Sequence, residues 1–111
     1  MSSNVALVAA RIALLVDREL VNDGVEIWTL FWHVRRLVDR ASDDEILEIV
    51  DAALRALLLS GVRVGEIDDR SGRFHLWADQ DSADRLMKAI RDLGREPNMG
   101  DVGWLVRDVY P

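Results

Sequence analysis

Apolar residues recur at helical spacing three times before the middle of the chain, and the rhythm changes only after Gly61. Val5, Val8, Ala9, Ile12, Leu15, Val16 and Leu20 fall on one broad face of a first helix ending near Val21. Ser3 or Asn4 stands ready to cap it, and the Asn-Asp-Gly run at 22–24 breaks it, since Asn and Gly tolerate positive φ. Ile27, Leu30, Phe31, Val34, Leu37 and Val38 make the inward stripe of a second helix, about Val25 to Arg40. The third has the clearest start. Ser42 and Glu45 form an S-x-x-E capping box, with Asp43 and Asp44 in the first turn where the helix dipole favours anions. Ile46, Ile49, Val50, Ala53, Leu54, Leu57 and Leu58 carry its stripe, and Gly61 closes it.

Beyond Gly61 the period shortens towards two. VRVGEI alternates in part, DDRSG supplies a turn, and RFHLWA sets Phe74, Leu76 and Ala78 on one side with His75 and Trp77 on the other. Asp81 or Ser82 caps a fourth helix with Leu86, Ile90 and Leu93 inward and Gly94 as its stop. After the REPNMG loop, Asp101 is placed to cap a short last helix carrying Trp104, Leu105 and Val109. Three helices followed by a hairpin is the element order of a winged helix, and four-helix packings with an attached hairpin share it. The expected fold is therefore α+β and mostly helical. It has a three-helix core, a winged-helix-like hairpin and two C-terminal helices, in a single domain spanning 1–111.

Charge then changes the functional picture. The chain has 111 residues, a formal net charge of −6 and no cysteine. That excludes disulfides, thiolate metal sites and cysteine nucleophiles. Split at Gly61, ten acids face six bases before it and ten face eight after it, so neither part supplies the basic footprint that nucleic-acid or anionic-lipid binding needs. A winged helix usually presents the N-terminal half of its third helix to the DNA major groove. Here that half exposes Asp44, Glu45, Glu48 and Asp51, which would repel a phosphate array. Asp51 and Arg55 are spaced to pair with each other. The hairpin is mixed, with Arg63, Arg70 and Arg73 against Glu66, Asp68 and Asp69. The acids read either as a solvated helix face or as a surface for a basic protein.

Trp28 and Trp32 lie four apart on the flank of the second helix, continued by Arg35, and tryptophan beside arginine is the composition of an interface hot spot. Core packing is the competing reading of the two indoles. His33 and His75 are the only histidines and fit no zinc spacing, and no nucleophile elbow or phosphate-binding loop is present. No metal, cofactor or catalytic residue is expected. The run VALVAARIALLV is too short and too interrupted by Arg11 to span a membrane, and it lacks a signal peptide's basic flank, so a cytoplasmic location is expected.

The segment from Leu93 resembles the ending of a group of small actinobacterial proteins that close on L-G-R-x-P-x-x-G-D-x-x-W-L. The matching residues are Leu93, Gly94, Arg95, Pro97, Gly100, Asp101, Trp104 and Leu105, with Phe74 and Trp77 in the hairpin before them. The similarity spans about half the chain, from Ala53 onward. It carries no activity over, but some such proteins look like accessory or immunity-type partners of secreted toxins. The expected function is thus a non-catalytic protein-binding module, an immunity or antitoxin-like inhibitor that meets a basic protein surface through Asp44, Glu45, Glu48 and Asp51 and the flank of Trp28, Trp32 and Arg35. The alternatives are a DNA-binding regulator, dimeric in form, and a small enzyme. A homodimer is compatible with any of the three.

Overall fold

The helical rhythm of the first sixty residues folds as its periodicity dictates. The computed structural model describes residues 3–77 and 79–107. Helix α1 runs Ser3–Glu19, α2 Trp28–Leu37, α3 Asp43–Leu59 and α4 Ser82–Leu93. The strands are β1 Val25–Glu26, β2 Val62–Ile67, β3 Phe74–Leu76 and β4 Trp104–Arg107, with a 3-10 turn at Asp79–Asp81 before α4. The architecture is α+β, with four helices and one four-stranded antiparallel sheet among the described residues.

Helix α3 is the hub. It packs most extensively on α1 and also meets α2, α4 and β2. Its stripe of Ile46, Ile49, Val50, Ala53, Leu54 and Leu57 is buried. Facing it are Ile12 and Val16 from α1, Leu30 and Val34 from α2, and Leu86, Met87 and Ile90 from α4. The capping box closes as the sequence requires: the Ser42 hydroxyl accepts from the Glu45 backbone N–H at 3.2 Å, and the Ser42 backbone N–H reaches the Glu45 carboxylate at 3.5 Å. Gly94, at φ 70°, ends α4 in the left-handed conformation that glycine adopts without strain.

Two of the sequence expectations are corrected. The second helix is shorter than Val25–Arg40: its first residues form β1, and Val38 is already extended while Arg40 sits at φ 61°. The last short helix does not form. Residues 104–107 are instead strand β4, lying between β1 and β2 in the order β1-β4-β2-β3. The alternation Trp104 out, Leu105 in, Val106 out suits a strand, and the slot between β1 and β2 supplies the ladder partners an isolated turn of helix would lack. Leu105 pairs with both Val25 and Val64. Asp101, expected as a helix cap, instead closes the preceding loop, accepting from the Asn98 N–H at 2.7 Å and from Arg95 at 2.6 Å. Ala78 and Val109 lie outside the described residues.

The inner face of the sheet carries Val25, Val62, Val64 and Leu105, all buried against the helices. Arg107, at the end of β4, pairs with Asp17 on α1 and donates to the Ser60 carbonyl at 3.2 Å, tying the sheet to both flanking helices. No helix among the described residues is long and apolar enough to cross a membrane.

Candidate functional site

Of the four acids read as a partner-binding face, the fold occupies two. Glu45 is held in the capping box. Asp51 accepts from the Arg55 guanidinium at 2.7 Å, the i,i+4 pair its spacing implies, and the same guanidinium reaches Asp84 on α4 at 2.7 Å. Those two carboxylates hold Arg55 more firmly protonated than usual, Asp84 contributing most. Arg55 thereby bolts α4 onto α3 and covers part of the helix face that would have to enter a groove. Asp44 and Glu48 remain exposed and make no ion pair among the described residues.

The aromatic flank of α2 divides in the same way. Trp28 is half-buried, and its indole N–H donates to the Glu26 carboxylate at 3.0 Å. The other oxygen of Glu26 accepts from the Gly100 N–H at 2.7 Å, so this side chain links β1, α2 and the loop before β4. Trp28 is thus tied to the fold through that carboxylate. Trp32 is 47% exposed, stands edge-on to His33 with ring centroids 5.2 Å apart, and carries the Arg36 guanidinium 4.7 Å above its ring. Arg35 is taken up by Glu96 at 2.5 Å, which raises its pKa first by hydrogen bonding and then by charge. Core packing accounts for neither indole fully. No described hydrogen bond, ion pair or ring contact joins either tryptophan to the α3 acids.

Sequence reasoning missed an exposed apolar surface on the sheet. Ladder partners directly opposite each other share a face, so the register sets Trp104, Val106, Ile67, Phe74 and Leu76 on the outer side of the sheet. No element among the described residues packs over them: Ile67, Phe74 and Leu76 are exposed and Trp104 and Val106 half-buried. They enclose a shallow depression of about 360 Å³, whose edge is completed by Asp23, Gly24 and Arg107. Gly65 lies on the same face, opposite both Leu76 and Trp104, with the Phe74 ring folded diagonally across it. The alternation in RFHLWA puts Phe74 and Leu76 on this face, but nothing in that pattern marks it as the side left open. Its partner side ends on Trp77, which is buried beneath Arg85 with the guanidinium 3.8 Å above the ring.

The hairpin forms no cationic ridge. Glu66 faces Arg85 at 3.8 Å, and Asp68 holds the turn by accepting from the Ser71 hydroxyl at 2.8 Å and the Arg70 N–H at 3.2 Å. These bonds, the Ser71 hydroxyl first, keep the Asp68 carboxyl below its ordinary pKa. His33 meets Glu19 at 2.5 Å, and the described residues hold no cluster of three ligand-type side chains fit for a metal ion. No protein family, curated protein or solved structure matches this chain.

Proposed function

We propose that this chain is a non-catalytic protein-binding module, an immunity or antitoxin-like inhibitor in type, whose contact surface is the open face of the sheet. The observation that carries this reading is the cluster of Trp104, Leu76, Phe74, Ile67 and Val106, which no other element among the described residues covers. Contiguous exposed apolar patches rimmed by polar groups mark interaction sites, and a tryptophan in a depression is the usual form of an energetic anchor. The exposed carboxylates Asp44 and Glu48, within a net charge of −6, steer a basic partner rather than anchor it. The Leu93–Leu105 segment resembles the ending of a group of small actinobacterial proteins, some of which look like accessory or immunity-type partners of secreted toxins, and that resemblance points the same way. Pull-down from native cells with wild-type chain, Leu76→Asp with Val106→Asp, and Asp44→Lys with Glu48→Lys tests it. The sheet pair should abolish capture, and the helix pair should slow association and weaken its salt dependence. Capture unchanged by both pairs refutes the reading.

The order α1-β1-α2-α3-β2-β3 keeps a second reading in view, a winged-helix-like regulator that binds DNA through Arg63, Arg70 and Arg73. Titration with random duplex at low salt separates the two, because even non-specific DNA binders associate under those conditions. The protein-binding reading expects no association.

A further inference from the structure

The two edges of the sheet end differently. β1 offers only two residues before Ile27 turns into α2. At the other edge β3 is extended over Phe74–Leu76, and all of 71–76 is exposed. The hydrogen bonds on either side of β3 fix which way its backbone groups point. The Trp77 N–H donates to the Val64 carbonyl and the Asp68 N–H to the Arg73 carbonyl, both at 2.8 Å. Residues 73, 75 and 77 therefore turn towards β2, and the N–H and C=O groups of Phe74 and Leu76 point out of the sheet. Those four groups form no hydrogen bond among the described residues. A bare edge is a template for another strand, and β3 lacks the usual protection: it holds no proline or lysine, and its register with β2 has no bulge.

The geometry points to a symmetric homodimer, in which β3 pairs antiparallel with β3 of a second copy about a two-fold axis at His75. The occupant is a second copy because the edge is self-complementary. Centred on His75, Phe74 lies opposite Leu76 of the second copy and Leu76 opposite its Phe74, so every free group of both strands finds a partner. A register centred on Phe74 would call on the Gly72 N–H, which already donates to the Asp68 carbonyl at 2.8 Å. The side chains agree. Phe74 meets the shorter Leu76 of the second copy on the outer face, and the Phe-His-Leu strand sets no carboxylate or guanidinium against its own kind. Charge is complementary at the ends: the turn carrying Arg70 and Arg73 runs towards the second copy's exposed Asp81. Two four-stranded sheets thereby join into one, with their outer faces side by side and still open. The dimer thus goes beyond the protein-binding reading and does not depend on it. A contact of three residues per strand lies at the small end of interfaces, so the dimer is weak and reversible.

Sedimentation velocity of the full chain, up to about 1 mM, should show monomer and dimer in exchange with a dissociation constant of about 100 μM. Leu76→Pro removes one outward N–H at a place where an edge strand tolerates proline, and should weaken the dimer at least about tenfold. Val106→Asp, on the central strand β4, should leave it unchanged. Cysteine cross-linking reads the register independently of the proline variant, and the chain contributes no background thiol. His75→Cys falls on the axis in a non-hydrogen-bonded pair, with Cα atoms about 4.5 Å apart, within the span of a disulfide. Under mild oxidation it should cross-link at least about tenfold faster than Leu76→Cys, at about 8 Å, or Arg73→Cys, at about 14 Å. A chain that stays monomeric at about 1 mM overturns the proposal. So does equal cross-linking by the three cysteines, or a dimer that survives Leu76→Pro and is lost with Val106→Asp, the sign of outer faces stacked on each other.

Discussion

Gly65 offers the sharpest test of the sheet face. A methyl group at this position would come within 2.4 Å of Phe74 Cζ, 2.5 Å of Phe74 Cε1 and 2.6 Å of the His75 carbonyl oxygen. All three lie well inside van der Waals contact, so Gly65→Ala forces movement. The ring can swing outward, since Phe74 is 39% exposed, but it then gives up its contact with the strand. The His75 oxygen belongs to the backbone of the neighbouring strand and moves only if the hairpin bends. Overpacking of this kind costs typically about 1–3 kcal/mol, and the backbone contact puts Gly65→Ala near the upper end, about 2–3 kcal/mol. At about 4 °C per kcal/mol for a domain of this size, the melting temperature falls by about 8–12 °C. Phe74→Ala alone should cost about 1 kcal/mol, because the ring is only partly covered. The double variant carries the test. Without the ring two of the three clashes vanish, so Gly65→Ala in the Phe74→Ala background should cost at least about 1 kcal/mol less than in wild type. Urea unfolding at constant m-value measures all three. If Gly65→Ala lies within about 0.5 kcal/mol of wild type, or if the two changes add without coupling, Phe74 is not seated across Gly65 and the outer face is built differently.

Other consequences are simpler. Leu105→Ala, in the central strand and fully buried, should cost about 2–5 kcal/mol; a loss below about 1 kcal/mol would refute the placement of β4 between β1 and β2. Ser42→Ala should cost about 1 kcal/mol by unmaking the α3 cap, whereas Asp44→Lys with Glu48→Lys should leave the slow-exchanging amides of the core protected as in wild type. Asp101 has its pKa lowered, first by Arg95 and then by the Asn98 N–H. Its contribution is therefore fully present above the unfolded carboxylate pKa of about 3.9 and fades as pH falls from there through the lower folded value. The difference in urea midpoint between wild type and Asp101→Asn should be constant from pH 7 to 5 and shrink below about pH 4; a difference that persists undiminished at pH 2 would contradict the ion pair.

The helical layer was legible because each helix carries its own instructions. The α3 capping box, the apolar stripes at three- and four-residue spacing and the Gly94 stop are local signals, and each was realised where the pattern put it. The sheet was not legible to the same degree, because its partners lie far apart in sequence. Val25 and Glu26 carry no strand signal of their own and become β1 only when Leu105 and Trp104 arrive beside them. Asp101 before an apolar run imitates a helix start, and tertiary pairing overrides that local preference. The acid pattern of α3 was readable, but its division into structural and free carboxylates was not, since Asp51 is engaged through Arg55 by a helix that begins thirty residues later. The open sheet face was hidden for the same reason: alternation shows that a strand has two sides, and only the packing of the helices shows which side is left bare.

The position of β4 also sets the order in which the molecule can assemble. Val25 has no ladder neighbour until a segment eighty positions downstream has been made, and β2 lacks its inner neighbour for just as long. During synthesis the helices can gather while the sheet still has a gap at its centre, exposing Val25, Val62 and Val64 to whatever hydrophobic surface is nearby. Such a nascent chain would favour chaperone capture, and a ribosome-stalled truncation before Trp104 should be far more sensitive to protease than one that includes Arg107.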